Sequence, residues 1–154
     1  MAADERVFLG LGSNLGEREE NVREALNQIA ALPGTCVVRT SALIETEPWG
    51  VENQPPFINA VTEIRTSLEP AELLEATKGI EAKMGREKTY RWGPRLVDID
   101  VLVYGQRRVH TPRLNVPHPQ LLERPFVVEP LAEIAPEVIE ELRRAAISLR
   151  SAGP

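Results

Sequence analysis

Two aspartates, Asp98 and Asp100, interrupt the apolar part of the segment RWGPRLVDIDVLVYG, residues 91–105. The segment is typical of a buried strand, and alternation along a strand places both carboxylates on one face. Their α-carbons are then about 6.6 Å apart, two strand steps. Three interpretations remain open: the pair is solvated on an open face, it forms ion pairs with arginines, or it holds a hard cation such as Mg²⁺.

A basic segment precedes the two aspartates. Four cations stand within ten residues: Arg86, Lys88, Arg91 and Arg95. The whole chain carries a net charge of -5, so this segment reverses the prevailing sign. A solvated charged loop would explain it, but arginines beside a metal-binding carboxylate pair also suit a nucleotide phosphate chain. Trp92 lies among them and offers either a stacking surface or a core side chain.

An amide interrupts a second apolar segment, because Asn59 lies within FINAV. A buried amide must be paired, so Asn59 either holds a loop backbone or contacts the polar edge of a ligand. Thr46, Trp49 and Phe57 bracket the proline-rich loop that precedes it.

His118 lies between two prolines and is a third candidate, with Arg113 and Arg124 on either side as possible phosphate contacts. It could cap a helix, bind a metal or contact a phosphate. A zinc site is disfavoured, because His110 is eight residues away and no cysteine is near.

The elements that must position these residues follow the order β-α-β-β-α-β. Periodicity and turn residues predict strands at 7–12, 36–46, 57–66 and 95–105 and helices at 17–32 and about 69–85. This order predicts an α+β fold, a ferredoxin-like sandwich with a mostly antiparallel sheet and helices on its faces. One apolar row is predicted on the last strand: Val97, Ile99, Val101 and Val103. A turn at 105–106 is expected to return residues 107–110 beside that strand.

A glycine-rich segment, GLGSNLG at residues 10–16, joins the first strand to the first helix. Its spacing is one residue too long for a dinucleotide fingerprint, and no Lys-Ser/Thr follows as in a phosphate-binding P-loop. We interpret it as a tight turn with Ser13 or Asn14 as the helix N-cap, with phosphate binding as the alternative.

Composition excludes several classes. A length of 154 residues predicts one domain, residues 1–154. The acidic balance disfavours nucleic-acid binding, and one cysteine cannot form an internal disulfide. No apolar run reaches membrane-spanning length, and acidic residues stand where a signal peptide has basic ones, so we expect a cytoplasmic protein.

Four segments together resemble the 6-hydroxymethyl-7,8-dihydropterin pyrophosphokinase family: GLGSNLG, FINAV, RWGPRLVDIDVLVYG and RLNVPHPQLLERPFVVEPLAEIAP. The resemblance runs from about Val7 to Pro136. It implies transfer of the β,γ-pyrophosphoryl group of ATP to the pterin hydroxymethyl oxygen, giving AMP. It also implies ATP and the pterin as small-molecule partners, no nucleic acid or membrane, and a monomer.

The resemblance also implies site residues. Asp98 and Asp100 would hold two Mg²⁺ ions, and Arg86 and Arg95 would complete the catalytic set. The implied ATP contacts are Lys78, Arg86, Lys88, Arg91, Trp92, Arg95, Val101, Arg113, Leu114, Asn115, His118 and Arg124. The implied pterin contacts are Thr46, Glu47, Trp49, Phe57, Asn59, Trp92, Asp98 and Phe126.

This sequence departs from the usual family pattern at several of these positions. Lys88 stands where arginine is common, Phe57 where tyrosine often occurs, Glu47 where proline often does, and Lys78 where glutamine is frequent. The loop before Trp92 is one residue shorter, which makes the alignment of Arg86 less secure than that of Arg95. The alternative function is a ferredoxin-like RNA-binding module without catalysis.

Overall fold

The structure is a computed structural model that describes residues 5–47, 55–88 and 96–152, without the side chains of residues 86–88 and 148–152. The strands are β1 (Val7–Ser13), β2 (Thr35–Thr40), β3 (Ile44–Thr46), β4 (Phe57–Thr66), β5 (Asp98–Tyr104), β6 (Val109–His110) and β7 (Asn115–Val116). The helices are α1 (Arg18–Ala30), α2 (Pro70–Lys88), α3 (Pro125–Ile134) and α4 (Pro136–Ala152), with a 3-10 turn at Leu121–Glu123.

The main sheet is antiparallel and has the order β2-β4-β1-β5, with β3 also paired to β4. The central strand β1 therefore separates β4, which carries Asn59, from β5, which carries both aspartates. This arrangement confirms the predicted α+β class with a mostly antiparallel sheet.

Helices cover both faces of the sheet, and each face has its own hydrophobic cluster. The first cluster joins the sheet to α1 and α2 and includes Leu9, Val22, Ile29, Ile64, Leu73 and Ile99. The second joins it to α3 and α4 and includes Phe8, Leu102, Leu131, Val138 and Ile139. Within the described ranges, no helix is long and apolar enough to cross a membrane.

The predicted apolar row on β5 is wrong at Val103. Val97, Ile99 and Val101 do pack in the first cluster, but Val103 joins Leu102 in the second. The cause is a register shift between β1 and β5, where Phe8 pairs with Val103 but Leu9 pairs with Val101. Leu102 is the extra residue of this β-bulge, and an extra residue reverses the alternation beyond it.

Two local predictions also need correction. Residues 109–110 pair with β7 in a separate two-stranded sheet, not with β5. The N-cap of α1 is Glu17, without a side-chain cap hydrogen bond, so neither Ser13 nor Asn14 caps the helix. Ser13 instead ends β1, where its hydroxyl accepts a hydrogen bond from the Asn21 side chain at 3.3 Å.

Candidate active site

Three neighbouring strands build a site from two rows of paired residues. In one row, Gly12 of β1 lies between Asn59 of β4 and Asp98 of β5. In the next row on the same face, Gly10 lies beside Asp100. Because glycine has no Cβ, the central strand leaves a space between the side chains of its two neighbours.

A cavity of about 200 Å³ lies over this glycine floor. Its lining comprises Gly10, Leu11, Gly12, Thr46, Glu47, Phe57, Asn59, Ala60, Asp98, Asp100, Arg124, Phe126 and Val127. Two phenylalanines, three acidic residues, an amide and an arginine therefore converge on one space. Such a mixture of apolar surface and a few polar groups is typical of a small-molecule site.

The Asn59 side chain is held from two directions. Its amide nitrogen donates a short hydrogen bond to the Thr46 hydroxyl, which fixes the end of β3 against β4. A Cβ added to Gly12 would lie 2.8 Å from Asn59 Oδ1 and 3.5 Å from a ring carbon of Phe57. The Asn59 amide therefore packs directly against the backbone at position 12. Any residue other than glycine there would displace the amide.

Arg124 lies at the other side of the cavity and approaches Asp100. Its Nη1 is 3.9 Å from Asp100 Oδ2, a weak ion pair between a 19% exposed arginine and a 49% exposed aspartate. Its Nη2 donates to Gln120 Oε1 at 2.7 Å, and its guanidinium carbon lies 5.8 Å from the centroid of the Phe126 ring. These contacts place one positive charge between an aspartate and an aromatic wall.

His118 neighbours the same two charges. Burial lowers the pKa of His118, Arg124 lowers it further, and Asp100 opposes both. An unperturbed imidazole already titrates below neutral pH, so this ring is uncharged at pH 7. Its Nδ1 accepts a hydrogen bond from the Gln120 backbone N–H at 3.2 Å, which fixes the orientation of the ring.

The other implied nucleotide contacts lie outside this cavity where the structure describes them. Lys78 forms an ion pair with Glu81, and Arg113 forms one with Glu75. Asn115 Oδ1 lies 3.2 Å from His110 Nδ1. Val101 and Leu114 are buried, at 5% and 7% exposed. The backbone N–H and carbonyl of Leu114 both form hydrogen bonds with Thr111.

Several candidates fall outside the description. Trp49, Arg91, Trp92 and Arg95 lie in the residues that the structure does not describe, and so do the side chains of Arg86 and Lys88. Within the described ranges, the basic half of the predicted site is represented at the cavity by Arg124 alone.

The two carboxylates at the cavity fit a cation that also binds oxygens of a substrate. Among the described residues, no group of three or more acidic, histidine or cysteine side chains could hold a metal by itself. Asp98 and Asp100 supply two carboxylates at the cavity, which leaves positions for phosphate oxygens and water. Mg²⁺ is bound in this way, through one or two carboxylates and substrate phosphates.

Sequence reasoning missed three residues of the site. Gly10 and Gly12 form its floor, although their segment was interpreted as a turn. Glu81, a buried acid on α2, accepts a hydrogen bond from the backbone between the two aspartates. A signal for Glu81 was present, since an acid four residues after Thr77 lies next to the apolar stripe of α2.

A carboxylate pair on the sheet of an α+β protein, beside a cavity with aromatic walls, suits the binding of a flat ring next to a charged group. The model of the family 7,8-dihydro-6-hydroxymethylpterin-pyrophosphokinase (HPPK) matches residues 8–136. The chain therefore belongs to the HPPK family, whose reaction is pyrophosphoryl transfer from ATP to hydroxymethyldihydropterin in folate synthesis.

Individual relatives agree with this assignment. A 2-amino-4-hydroxy-6-hydroxymethyldihydropteridine pyrophosphokinase of Methylorubrum extorquens is 46% identical over 151 residues, 96% of each chain. The Bacillus subtilis protein of the same name is 44% identical over 139 residues, 90% of this chain and 83% of that one.

A solved structure supports the fold. The crystal structure of a Plasmodium falciparum HPPK-DHPS triple mutant is similar with a TM-score of 0.68 at 15% identity. The match covers 86% of this chain and 40% of the Plasmodium chain. This chain therefore corresponds to less than half of that longer protein.

Proposed function

We propose that this protein transfers the β,γ-pyrophosphoryl group of ATP to the hydroxymethyl oxygen of 6-hydroxymethyl-7,8-dihydropterin in a Mg²⁺-dependent reaction that yields AMP. One observation carries the proposal. All six implied pterin contacts whose side chains are described line a single cavity: Thr46, Glu47, Phe57, Asn59, Asp98 and Phe126.

The pterin ring occupies the space over the glycine floor. Phe57 and Phe126 supply aromatic surface for a flat heterocycle. Asn59 is held by Thr46 and exposes its amide to the polar edge of the ring, and Glu47 offers a carboxylate to ring N–H groups. Trp49 and Trp92 complete the pterin contacts as proposed from the sequence.

Asp98 and Asp100 hold the metal, and we expect two ions. Bound there, Mg²⁺ would neutralise charge that develops on the transferring phosphoryl oxygens. The two carboxylates lie on β5 next to the pterin cavity, so they face both co-substrates. This position is what an in-line transfer between a ring substituent and a phosphate chain requires.

Cationic side chains orient ATP. Arg86 and Arg95 are the proposed catalytic cations on the transferring group. Further proposed nucleotide contacts are Lys78, Lys88, Arg91, Trp92, Val101, Arg113, Leu114, Asn115, His118 and Arg124. Arg124 is the member of this set that lines the cavity within the described residues, so it can also steady phosphates beside Asp100.

The reaction forms one phosphorus–oxygen bond and breaks another. The hydroxymethyl oxygen of the pterin forms a bond to the β-phosphorus, and the bond from that phosphorus to the oxygen bridging the α-phosphorus breaks. The electron pair of the broken bond stays on AMP, and the hydroxyl proton leaves to water. Because no covalent enzyme intermediate is needed, the chain contributes positioning and charge stabilisation.

Product analysis tests the proposal. Pure protein with ATP, Mg²⁺ and 6-hydroxymethyl-7,8-dihydropterin should yield AMP and the pterin diphosphate in equal amounts. ADP with a monophosphorylated pterin would contradict the reaction, and AMP formed without Mg²⁺ or any other divalent ion would contradict the metal role. The monomeric state and the cytoplasmic location stay predictions from the sequence.

A further inference from the structure

Glu81 is an acid buried where an apolar residue would pack. It lies on α2 beside the stripe of Leu73, Ile80 and Met84, and it is 4% exposed. An ionised side chain is rarely buried without a specific set of partners. Its position therefore calls for an explanation in terms of the groups that it contacts.

The first partner of Glu81 is the backbone of β5. The Ile99 N–H donates to Glu81 Oε2 at 2.7 Å. Among the residues that the structure describes, β5 is an edge strand of the main sheet and pairs with β1 alone, so an N–H on its outer edge has no strand partner there. The Glu81 carboxylate takes the place that a further strand would occupy.

The second partner balances the charge. Lys78, one helical turn earlier, places its Nζ 3.4 Å from Glu81 Oε1. The lysine is 46% exposed, so it can reach water while its charge faces the buried acid. Within the described residues, Oε1 thus faces the lysine and Oε2 accepts the hydrogen bond from the strand.

The position of Ile99 gives this contact its importance. Ile99 stands between Asp98 and Asp100, and its own side chain is 1% exposed in the first cluster. A hydrogen bond to its N–H holds the peptide group between Asp98 and Ile99, which is part of the backbone that joins the two aspartates. A shift of that peptide would change the separation and direction of both carboxylates together.

We propose that Glu81 is a positioning residue for the aspartate pair: it sets the backbone between Asp98 and Asp100 and so raises their affinity for the divalent ion. This inference rests on the metal role stated under the proposed function. Groups that orient metal ligands through hydrogen bonds typically contribute about 10- to 100-fold in metal affinity or activity.

The test compares two substitutions of nearly equal length. Glu81→Gln keeps an oxygen that can accept the Ile99 N–H, whereas Glu81→Met keeps the length and removes the acceptor. Binding of Mn²⁺ is measured by electron paramagnetic resonance in the presence of α,β-methylene-ATP, which cannot release its pyrophosphoryl group. Asp98→Asn is measured beside them as the test of the metal role itself.

We expect Glu81→Met to weaken Mn²⁺ binding by about tenfold or more and Glu81→Gln to stay within about threefold of the unchanged protein. In turnover assays, Glu81→Met should lower kcat and raise the Mg²⁺ activation constant. It should change the KM for the pterin much less, because Asn59 and Phe57 lie on β4, whereas Asp98 is the implied pterin contact on the displaced strand β5. A general loss of structure would not separate these parameters.

Outcomes distinguish the two proposals. If Asp98→Asn loses Mn²⁺ but Glu81→Met binds it normally, the positioning role is wrong and the metal role stands. If Asp98→Asn binds Mn²⁺ as the unchanged protein does, the metal role fails and this inference fails with it. If Glu81→Met does not fold, Glu81→Ala is measured in the same way, and normal Mn²⁺ affinity in that variant also overturns the inference.

Discussion

At the scale of single residues, the contact between Gly12 and Asn59 gives the sharpest test of the pterin site. A Cβ at Gly12 would approach Asn59 Oδ1 to 2.8 Å, whereas the nearest group to a Cβ at Gly10 would be the Leu102 side chain, at 3.3 Å. Both glycines lie in β1, so the two substitutions share the same change in chain entropy. They differ in the group that must move.

Gly12→Ala should therefore raise the KM for the pterin by about 5- to 10-fold, the value of one displaced hydrogen bond. The effect on kcat should be smaller, because Asp98 and Asp100 are not contacted. Steady-state kinetics with both substrates measure the change, and Gly10→Ala serves as the matched comparison with a smaller rise. Equal effects of the two substitutions would contradict a specific displacement of Asn59.

Removal of one metal-binding carboxylate should have a larger effect on rate than on binding of the ring. We expect Asp98→Ala to lower kcat/KM by at least about 10²-fold, because charge on the transferring group would lose its stabilisation. Glu140→Ala, which removes a 70% exposed carboxylate on α4, is the control and should not change the rate. A rate within a few-fold of normal for Asp98→Ala would refute metal binding there.

At the scale of elements, Tyr104 at the end of β5 links the sheet to the start of α2. Its hydroxyl donates a short hydrogen bond to the Leu68 carbonyl, and the Arg107 guanidinium lies 5.2 Å from its ring centroid. Burial raises the pKa of Tyr104 above its ordinary value, and Arg107 opposes the shift. The folded protein therefore keeps this proton at a pH where the unfolded chain has lost it.

This difference predicts the sign of the pH dependence. Above about pH 10 the unfolded state binds fewer protons at this tyrosine than the folded state, so the free energy of unfolding falls as pH rises. Tyr104→Phe should cost about 1 kcal/mol at neutral pH and should lose less stability at alkaline pH. Urea unfolding measures the difference in the free energy of unfolding between the unchanged protein and Tyr104→Phe. If this difference does not become smaller above about pH 10, the raised pKa of Tyr104 is contradicted.

The sequence was most informative where the structure of an element depends on local signals in its own residues. The predicted strand at 57–66 has the same bounds as β4, because its alternation and the flanking prolines and helix start are local signals. The placement of Asp98 and Asp100 at one cavity also agrees with simple alternation. Both inferences needed no knowledge of the neighbouring strands.

Features that depend on strand pairing were not predictable in this way. The bulge at Leu102 exists only in the register between β1 and β5, so Val103 was assigned to the wrong face. The glycine floor required the strand order that brings Asn59 and Asp98 to opposite sides of Gly12. The position of Glu81 beside the apolar stripe of α2 can be seen in the sequence, but its hydrogen bond to Ile99 depends on the packing of α2 against β5.

At the scale of the whole molecule, α4 packs beside α3, the helix that carries Phe126, on one face of the sheet. The family match ends at residue 136, where α4 begins, yet Val138 and Ile139 pack in the second cluster beside α3. Arg6 joins this helix to the sheet, with Nε 2.9 Å from Glu63 Oε2 and Nη1 2.8 Å from Glu137 Oε2. The helix beyond the match is therefore part of the folded core. The single domain over residues 1–154 stays a prediction.

A pair of isoleucines on α4 tests this role. Ile139 is 3% exposed and Ile147 is 60% exposed. Ile139→Ala should lower the free energy of unfolding by about 2–4 kcal/mol through the cavity that it leaves, whereas Ile147→Ala should change it by less than about 0.5 kcal/mol. Denaturant unfolding compares the two, and equal values would show that α4 does not pack as described.

The glycine floor has a consequence for inhibitor design and for resistance. A compound that lies against Gly12 would touch backbone, and every substitution at that position adds atoms close to Asn59 Oδ1 in the proposed pterin site. No substitution of Gly12 itself can enlarge the cavity, and a substitution that narrows it should displace Asn59 and weaken binding of the pterin. Chemical groups directed at the floor should therefore be harder to escape than groups directed at side chains of the walls.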